Sequence, residues 1–286
     1  MRLNIIGTKG FIGSRMYEYF LSKKDYSLVG YSSLECNLLS EKSTNMALAN
    51  LKSDDIIVMA SAITRLKEDS LDALIKNMTM AENIAKIIEK KTISQFVFLS
   101  TTDVYGFNPI LPINEDTLPN PQDYYAISKL SSEFILRQTC LRKDIPLLIL
   151  RLPGVYGKGD HGKSTLNKLV ESAKNKKITI FGSGDDKRDF VYIEDLCKIV
   201  ELGINQRINS TMNIATGNSN SIRDISELIR MNFSSEVSIE YLPETTSQKR
   251  AKEMKFDISK LKRTFPYFKF TSIQEGIKLY LNGLFN

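Results

Sequence analysis

A short apolar run, Arg2 to Ile6, passes through Gly7, Gly10 and Gly13 straight into the amphipathic stretch 11–22. This strand-to-helix turn constrains the chain more than any other feature. A turn so tight needs residues without Cβ where backbone must approach backbone, and the helix that follows presents free N–H groups and a positive dipole end. Together these bind the pyrophosphate of a dinucleotide. The spacing is G-x-x-G-x-x-G, with Lys9, Phe11, Ile12 and Arg15 around the glycines, and its place at the first strand points to a parallel α/β sheet.

The rest of the first half keeps that rhythm. Arg2–Ile6, Ser27–Tyr31, Asp55–Ala60, Gln95–Ser100 and Pro146–Arg151 read as strands, separated by helical patterns at 11–22, 41–51, 66–91 and 124–143. The expected fold is α/β, a Rossmann-like doubly wound parallel sheet with a smaller C-terminal α/β substrate lobe. The dinucleotide domain spans 1–155 with a returning segment near 190–215, and 156–286 forms most of the substrate lobe. Beyond Pro153 helices are expected near 164–176, 194–206, 221–232 and 272–284, with strands near 178–181, 189–192 and 212–214. The Pro-rich segment 103–123 is the longest irregular stretch, and loops of that length are often functional.

Composition excludes several alternatives. At 286 residues and 42% hydrophobic content the chain fills an ordinary globular core, and disorder is not expected. MRLNIIG turns polar too soon for a signal peptide, and no run reaches a membrane span, so a cytoplasmic protein without membrane contact is expected. Cys36, Cys140 and Cys197 are far apart and His161 is the single histidine, which leaves no set of metal ligands. The net charge of +6 is dispersed rather than striped with aromatics, which argues against nucleic acid and suits an anionic small substrate.

Tyr125 and Lys129 stand four apart in YYAISK and share one helical face, where an ammonium beside a phenol lowers the Tyr pKa toward acid/base use. The same spacing recurs at Tyr19 and Lys23, inside the first helix, so context must separate the copies. Before Tyr125 comes QFVFLSTTDVYG, an apolar strand ending in Ser100, Thr101 and Thr102 at the carboxyl edge where open α/β sheets place ligands.

With GTKGFIG, ASA at 60–62 followed by Asn77, LSTTDVYG, YAISK, LRLPGVYGKGD at 150–160 and IFGSGDDKRDFVYIEDL at 180–196, the chain resembles the extended short-chain dehydrogenases/reductases of the nucleotide-sugar branch. The resemblance covers nearly the whole chain. It implies Thr101 as catalytic hydroxyl, Tyr125 as acid/base and Lys129 as its partner and ribose ligand. It implies cofactor contacts from Ala60, Ser61, Ala62, Asn77, Leu99, Ser100, Pro153 and Val155. Substrate would meet Thr101, Thr102, Asp103, Tyr125 and His161, while Arg188 would grip the diphosphate with a planar fork of donors. Arg65 is a weaker phosphate candidate.

The octet GKGDHGKS, residues 157–164, matches a P-loop pattern that includes Lys163, but its place after LRLPGVY makes the match accidental. At the second strand end Ser32 and Ser33 stand where an NAD-preferring site carries an acid, with Glu35 late and Arg15 and Lys9 close by, so NADP(H) is favoured and NAD(H) possible. Where related dehydratases read Thr-Asp-Glu this chain reads Thr101-Thr102-Asp103, which argues against dehydration. The expected reaction is reduction of a nucleotide-linked 4-keto-6-deoxy sugar in polysaccharide biosynthesis. A nucleotide-sugar 4-epimerase and a catalytically silent dinucleotide sensor are the alternatives. A homodimer through the 124–143 helix is expected.

Overall fold

The computed structural model describes residues 1–160, 164–233, 236–244 and 251–285. His161 and Lys163 lie outside the described residues. In chain order the first half runs β1 (Arg2–Ile6), α1 (Phe11–Leu21), β2 (Ser27–Tyr31), α2 (Glu41–Ala47), β3 (Ile56–Met59), α3 (Leu71–Lys90), β4 (Gln95–Thr101), a 3-10 turn (Thr102–Tyr105), α4 (Tyr124–Arg142) and β5 (Leu147–Leu152). There follow β6 (Gly154–Tyr156), α5 (Thr165–Lys174), β7 (Lys177–Phe181), β8 (Lys187–Arg188), β9 (Phe190–Tyr192), α6 (Ile193–Asn205) and β10 (Ser210–Asn213). The chain closes with β11 (Asn220–Ser221), α7 (Ile222–Asn232), β12 (Ser238–Leu242), α8 (Ser259–Thr264) and α9 (Ile273–Phe285).

The chain divides into two compact units, Met1–Gly106 with Pro119–Leu152 and Cys197–Met212, and Phe107–Leu118 with Pro153–Leu196 and Asn213–Asn286. Cys197–Met212 returns to the first unit, while Phe107–Leu118, inside the Pro-rich loop, groups with the second, and α6 begins in one unit and ends in the other.

The first unit holds a six-stranded sheet in the order β10-β5-β4-β3-β1-β2. β1 pairs in parallel with β2 and β3, β3 with β4, and β4 with β5. Order reverses between β1 and β3, the switch point at which ligands bind outside the strand ends. β3 and β4 are buried along their whole length, as central parallel strands covered by helices on both faces must be. Ile57, Met59, Phe96, Phe98 and Ile149 pack against Ile84 and Ile88 of α3 and Leu136 of α4 in one core. The helix expected from 66 starts at Leu71, because the Ser70 hydroxyl caps it at Ala73 N–H and the residues before it form a turn.

The second unit is built from short pairs: β6 with β9 and β7 with β12, both parallel, and β8 with β11, antiparallel. β6, β8, β11 and β12 were not legible in the sequence pattern; the first three are two or three residues long, too short to show alternation. Its core joins Tyr156, Val170, Ile178, Ile229, Ile277 and Tyr280. Among the described residues no helix is long and apolar enough to cross a membrane, and no cluster of His, Cys, Asp or Glu is arranged to hold a metal.

Candidate active site

The three glycines of the first turn have three different jobs. Gly7 adopts φ +104°, and a Cβ there would stand 2.8 Å from Ser61 Oγ and 3.0 Å from the Ala60 backbone. A Cβ on Gly13 would lie 2.1 Å from the Gly7 carbonyl oxygen, so Gly13 lets α1 cross β1 at contact distance. Gly10 differs: its Cβ would meet only Gly7 O at 3.4 Å and otherwise enter open space. Gly10 also caps α1 without a side-chain bond, leaving the N–H groups of the first turn to a ligand. The Gly7 and Thr8 amides donate to Tyr31 O at 2.7 and 3.1 Å, which holds the loop against the end of β2. This cradle fits a dinucleotide pyrophosphate.

At the end of β2 the structure amends the sequence reading. The Glu35 carboxylate folds back to accept from Ser32 N–H at 2.8 Å and from the Ser32 hydroxyl. An acid therefore does stand at the end of β2, delivered from three residues downstream, and those hydrogen bonds, aided by Lys9, hold its pKa low. Arg15, expected near a 2′-phosphate, is ion-paired with Glu18 one turn further along α1. Replacing Glu35 by Ala should move the ratio of Kd values about fivefold or more toward NADPH over NADH, since it removes a negative charge that would face the 2′-phosphate. Equal ratios in calorimetric titrations of both proteins would exclude this role.

The segment after β3 works as a clamp. Asn77 of α3 accepts from Ile63 N–H at 2.8 Å, and donates to Ile63 O at 2.9 Å and to Ser128 Oγ of α4 at 3.1 Å. Its amide is thus engaged by the chain rather than turned toward a cofactor. Arg65 pairs with Asp123 at 3.0 Å and Asp103 at 3.4 Å, and Asp69 accepts from Tyr125 N–H at 3.0 Å. Asp123 in turn caps α4 by accepting from Ala126 N–H at 2.7 Å. The N-terminus of the helix that carries Tyr125 is therefore fixed from three sides, and Arg65 is tied to two carboxylates rather than held open for phosphate.

Thr101 ends β4, its hydroxyl oxygen accepting from Asp103 N–H at 3.1 Å and so keeping its own hydrogen for another acceptor. Thr102 donates to Leu152 O at 3.4 Å, and Ser100 turns inward to Glu133 at 2.5 Å instead of facing the cofactor side. Lys129 donates to Leu99 O at 2.5 Å and sits over the Phe98 ring at 3.9 Å. Burial pulls the Lys129 pKa down to about 7, opposed by the Glu133 charge. Tyr125 departs from expectation: burial and then Asp103 raise its pKa, and the cation that opposes them is Arg65, not Lys129.

The second Tyr-x-x-x-Lys copy has a different fate. Tyr19 Oη donates to Glu201 of α6 at 2.5 Å and Lys23 pairs with the same carboxylate at 3.2 Å, which joins two helices. The octet 157–164 is no P-loop among its described residues: Ser164 caps α5 by accepting from Asn167 N–H at 3.1 Å and donates to Asp160 at 2.5 Å, so its hydroxyl is committed. In the second unit Arg188 lies on β8, paired with Asp186 at 3.1 Å and bonded to Lys187 O at 2.8 Å, and burial lowers its pKa. Pro153 precedes β6, where Val155 is paired with Val191.

Sequence reasoning missed Glu133, Arg151, Asp69 and Asp123. The signal for the first two was present: a lone Arg in the apolar strand LLILRL needs a buried acid, and Glu133 lies four residues beyond Lys129 on α4.

Known proteins share this layout. The structure superposes on the UDP-glucose 4-epimerase of Thermotoga maritima, solved with UDP-glucose, with a TM-score of 0.89 at 20% identity, covering 99% of this chain and 98% of that one, a likeness of fold. In sequence the chain is 28% identical to the "Uncharacterized UDP-glucose epimerase YtcB" of Bacillus subtilis over 100% of its own length and 99% of the relative. It is 26% identical to the GDP-6-deoxy-D-talose 4-dehydrogenase of Aggregatibacter actinomycetemcomitans over 80% of this chain and 79% of the other. Residues 3–215 match the model of the NAD dependent epimerase/dehydratase family, and with the glycine turn and the strand-end hydroxyls in place the chain belongs to that family.

Proposed function

We propose that the protein transfers hydride at C4 of a nucleotide-diphosphate sugar, in the direction of 4-keto-6-deoxy-sugar reduction, with NADP(H) as cofactor. The observation that carries this reading is the set of groups on β4 and α4: a Thr101 hydroxyl that keeps its hydrogen, the Tyr125 phenol under the influence of Asp103, and the buried Lys129 bonded to Leu99 O, with a hydroxyl and not an acid at Thr102. Thr101 and Tyr125 hold the C4 oxygen and polarise the carbonyl. A bound reduced nicotinamide supplies the hydride. Tyr125 gives its proton to the forming alkoxide, and Arg65, the cation that acts on its phenol, stabilises the phenolate left behind together with a protonated Lys129. Dehydration is disfavoured because Thr102 has no proton-accepting carboxylate and Asp103 is paired with Arg65. In the second unit, Arg188 would hold a diphosphate on exchanging Asp186 for phosphate oxygens.

The test supplies a nucleotide-linked 4-keto-6-deoxyhexose and NADPH and follows reduced-nicotinamide absorbance: one equivalent is consumed per product formed. One observation favours a second reading. Glu35 at the ribose edge suits NAD(H), which an epimerase retains and regenerates while it interconverts two 4-hydroxy sugars with no net absorbance change. Dinucleotide binding with no turnover of either kind would leave the sensor reading. Exposed Leu71 and Ile75 on α3 and Ile127 and Phe134 on α4 support a homodimer through these helices. Phe134→Glu should halve the mass seen by light scattering, and an unchanged mass would rule this face out.

A further inference from the structure

We infer that Glu133 is a positioning residue of the hydride-transfer site, a carboxylate that ties the strand end carrying Thr101 to the helix carrying Tyr125 and Lys129. The inference rests on the reaction class proposed above. Glu133, on α4, is 1% exposed and meets two strands at once. It accepts from Ser100 Oγ of β4 at 2.5 Å, and from Arg151 of β5 through Nε at 3.0 Å and Nη2 at 2.7 Å. Arg151 reaches on to Tyr105 Oη at 2.9 Å, at the end of the turn that follows Thr101. Glu133 itself follows Lys129 by one helical turn on α4.

A buried carboxylate is costly unless paired, and Arg151 supplies the pair. The surplus is electrostatic. Lys129 meets the Leu99 carbonyl and the Phe98 ring of β4, and Glu133, one turn further along α4, is tied to Ser100 of β4 and Arg151 of β5. Of these, Glu133 is the charge that acts on Lys129, opposing the burial that lowers its pKa to about 7. Without that anion Lys129 would lose its proton at a lower pH and could no longer stabilise a phenolate near neutrality. Ser100 and Arg151 would meanwhile lose the partner that aligns the two strand ends.

Two variants test this. Glu133→Gln keeps the shape and removes the charge, and the pair Glu133→Leu with Arg151→Met removes both ions without leaving one buried alone. In each, the protein carrying 13C-labelled lysine is titrated by NMR without cofactor, with Lys129→Met assigning the resonance, and the pH profile of kcat/KM is measured. The expected result is that the Lys129 midpoint falls by about one pH unit in both variants, and that the alkaline limb of kcat/KM moves down with it. A Lys129 midpoint unmoved in folded variants would overturn the inference, leaving Glu133 a structural ion-pair partner. A midpoint that moves in a protein with no turnover on any nucleotide sugar would sustain the action of Glu133 on Lys129 and sink the proposed reaction instead.

Discussion

Tyr125→Phe should lower turnover by about 10²- to 10⁴-fold while dinucleotide affinity stays within about twofold, because it removes the transferable proton and keeps the ring. The parallel change Tyr19→Phe separates the two copies of the motif. Tyr19 Oη serves a helix-to-helix contact with Glu201, so its loss should cost about 1 kcal/mol of stability or less and leave turnover intact. Burial and Asp103 raise the Tyr125 pKa and keep its phenol protonated at neutral pH, with Arg65 as the opposing cation. Steady-state kinetics on both variants decides between the copies, and equal losses from the two would mean that the Tyr125 assignment is wrong.

Gly13→Ala and Gly10→Ala should fail in different ways. At Gly13 a methyl group would stand 2.1 Å from a backbone carbonyl, which no side-chain rotation relieves. Separating α1 from β1 should cost roughly 1–3 kcal/mol or more, beyond the ~1 kcal/mol that Ala gains over Gly in a helix. Both thermal stability and dinucleotide binding should fall. At Gly10 the methyl group meets nothing closer than 3.4 Å, so the melting temperature should hold or rise while dinucleotide affinity drops at least about tenfold. Differential scanning calorimetry beside dinucleotide titration reads both quantities. Tight dinucleotide binding by Gly10→Ala would remove the pyrophosphate from this turn.

The half that holds the six-stranded sheet was legible because its signals are local. The strands β1 to β5 are apolar runs bounded by turns, and the glycines are required by backbone contacts within one strand-turn-helix unit. Thr101, Tyr125 and Lys129 were legible as types at fixed spacing. What each experiences was not, since the surroundings come from residues distant in the chain. Lys129 owes its lowered pKa to burial under β4, and the Tyr125 phenol owes its raised value to burial and to Asp103, 22 residues earlier. Ser100 was assigned to the cofactor from its place at a strand end, yet the pairing of Glu133 with Arg151 draws its hydroxyl inward. Glu35 shows the same limit at shorter range: its number in the chain puts it past the ribose, and only the turn after β2 brings its carboxylate back to Ser32. Sequence alone determined which chemical groups are present and which element carries each, because periodicity and turn residues act over a few neighbours. Tertiary structure decided their charge and direction, because desolvation and ion pairing depend on which distant side chains close around a group.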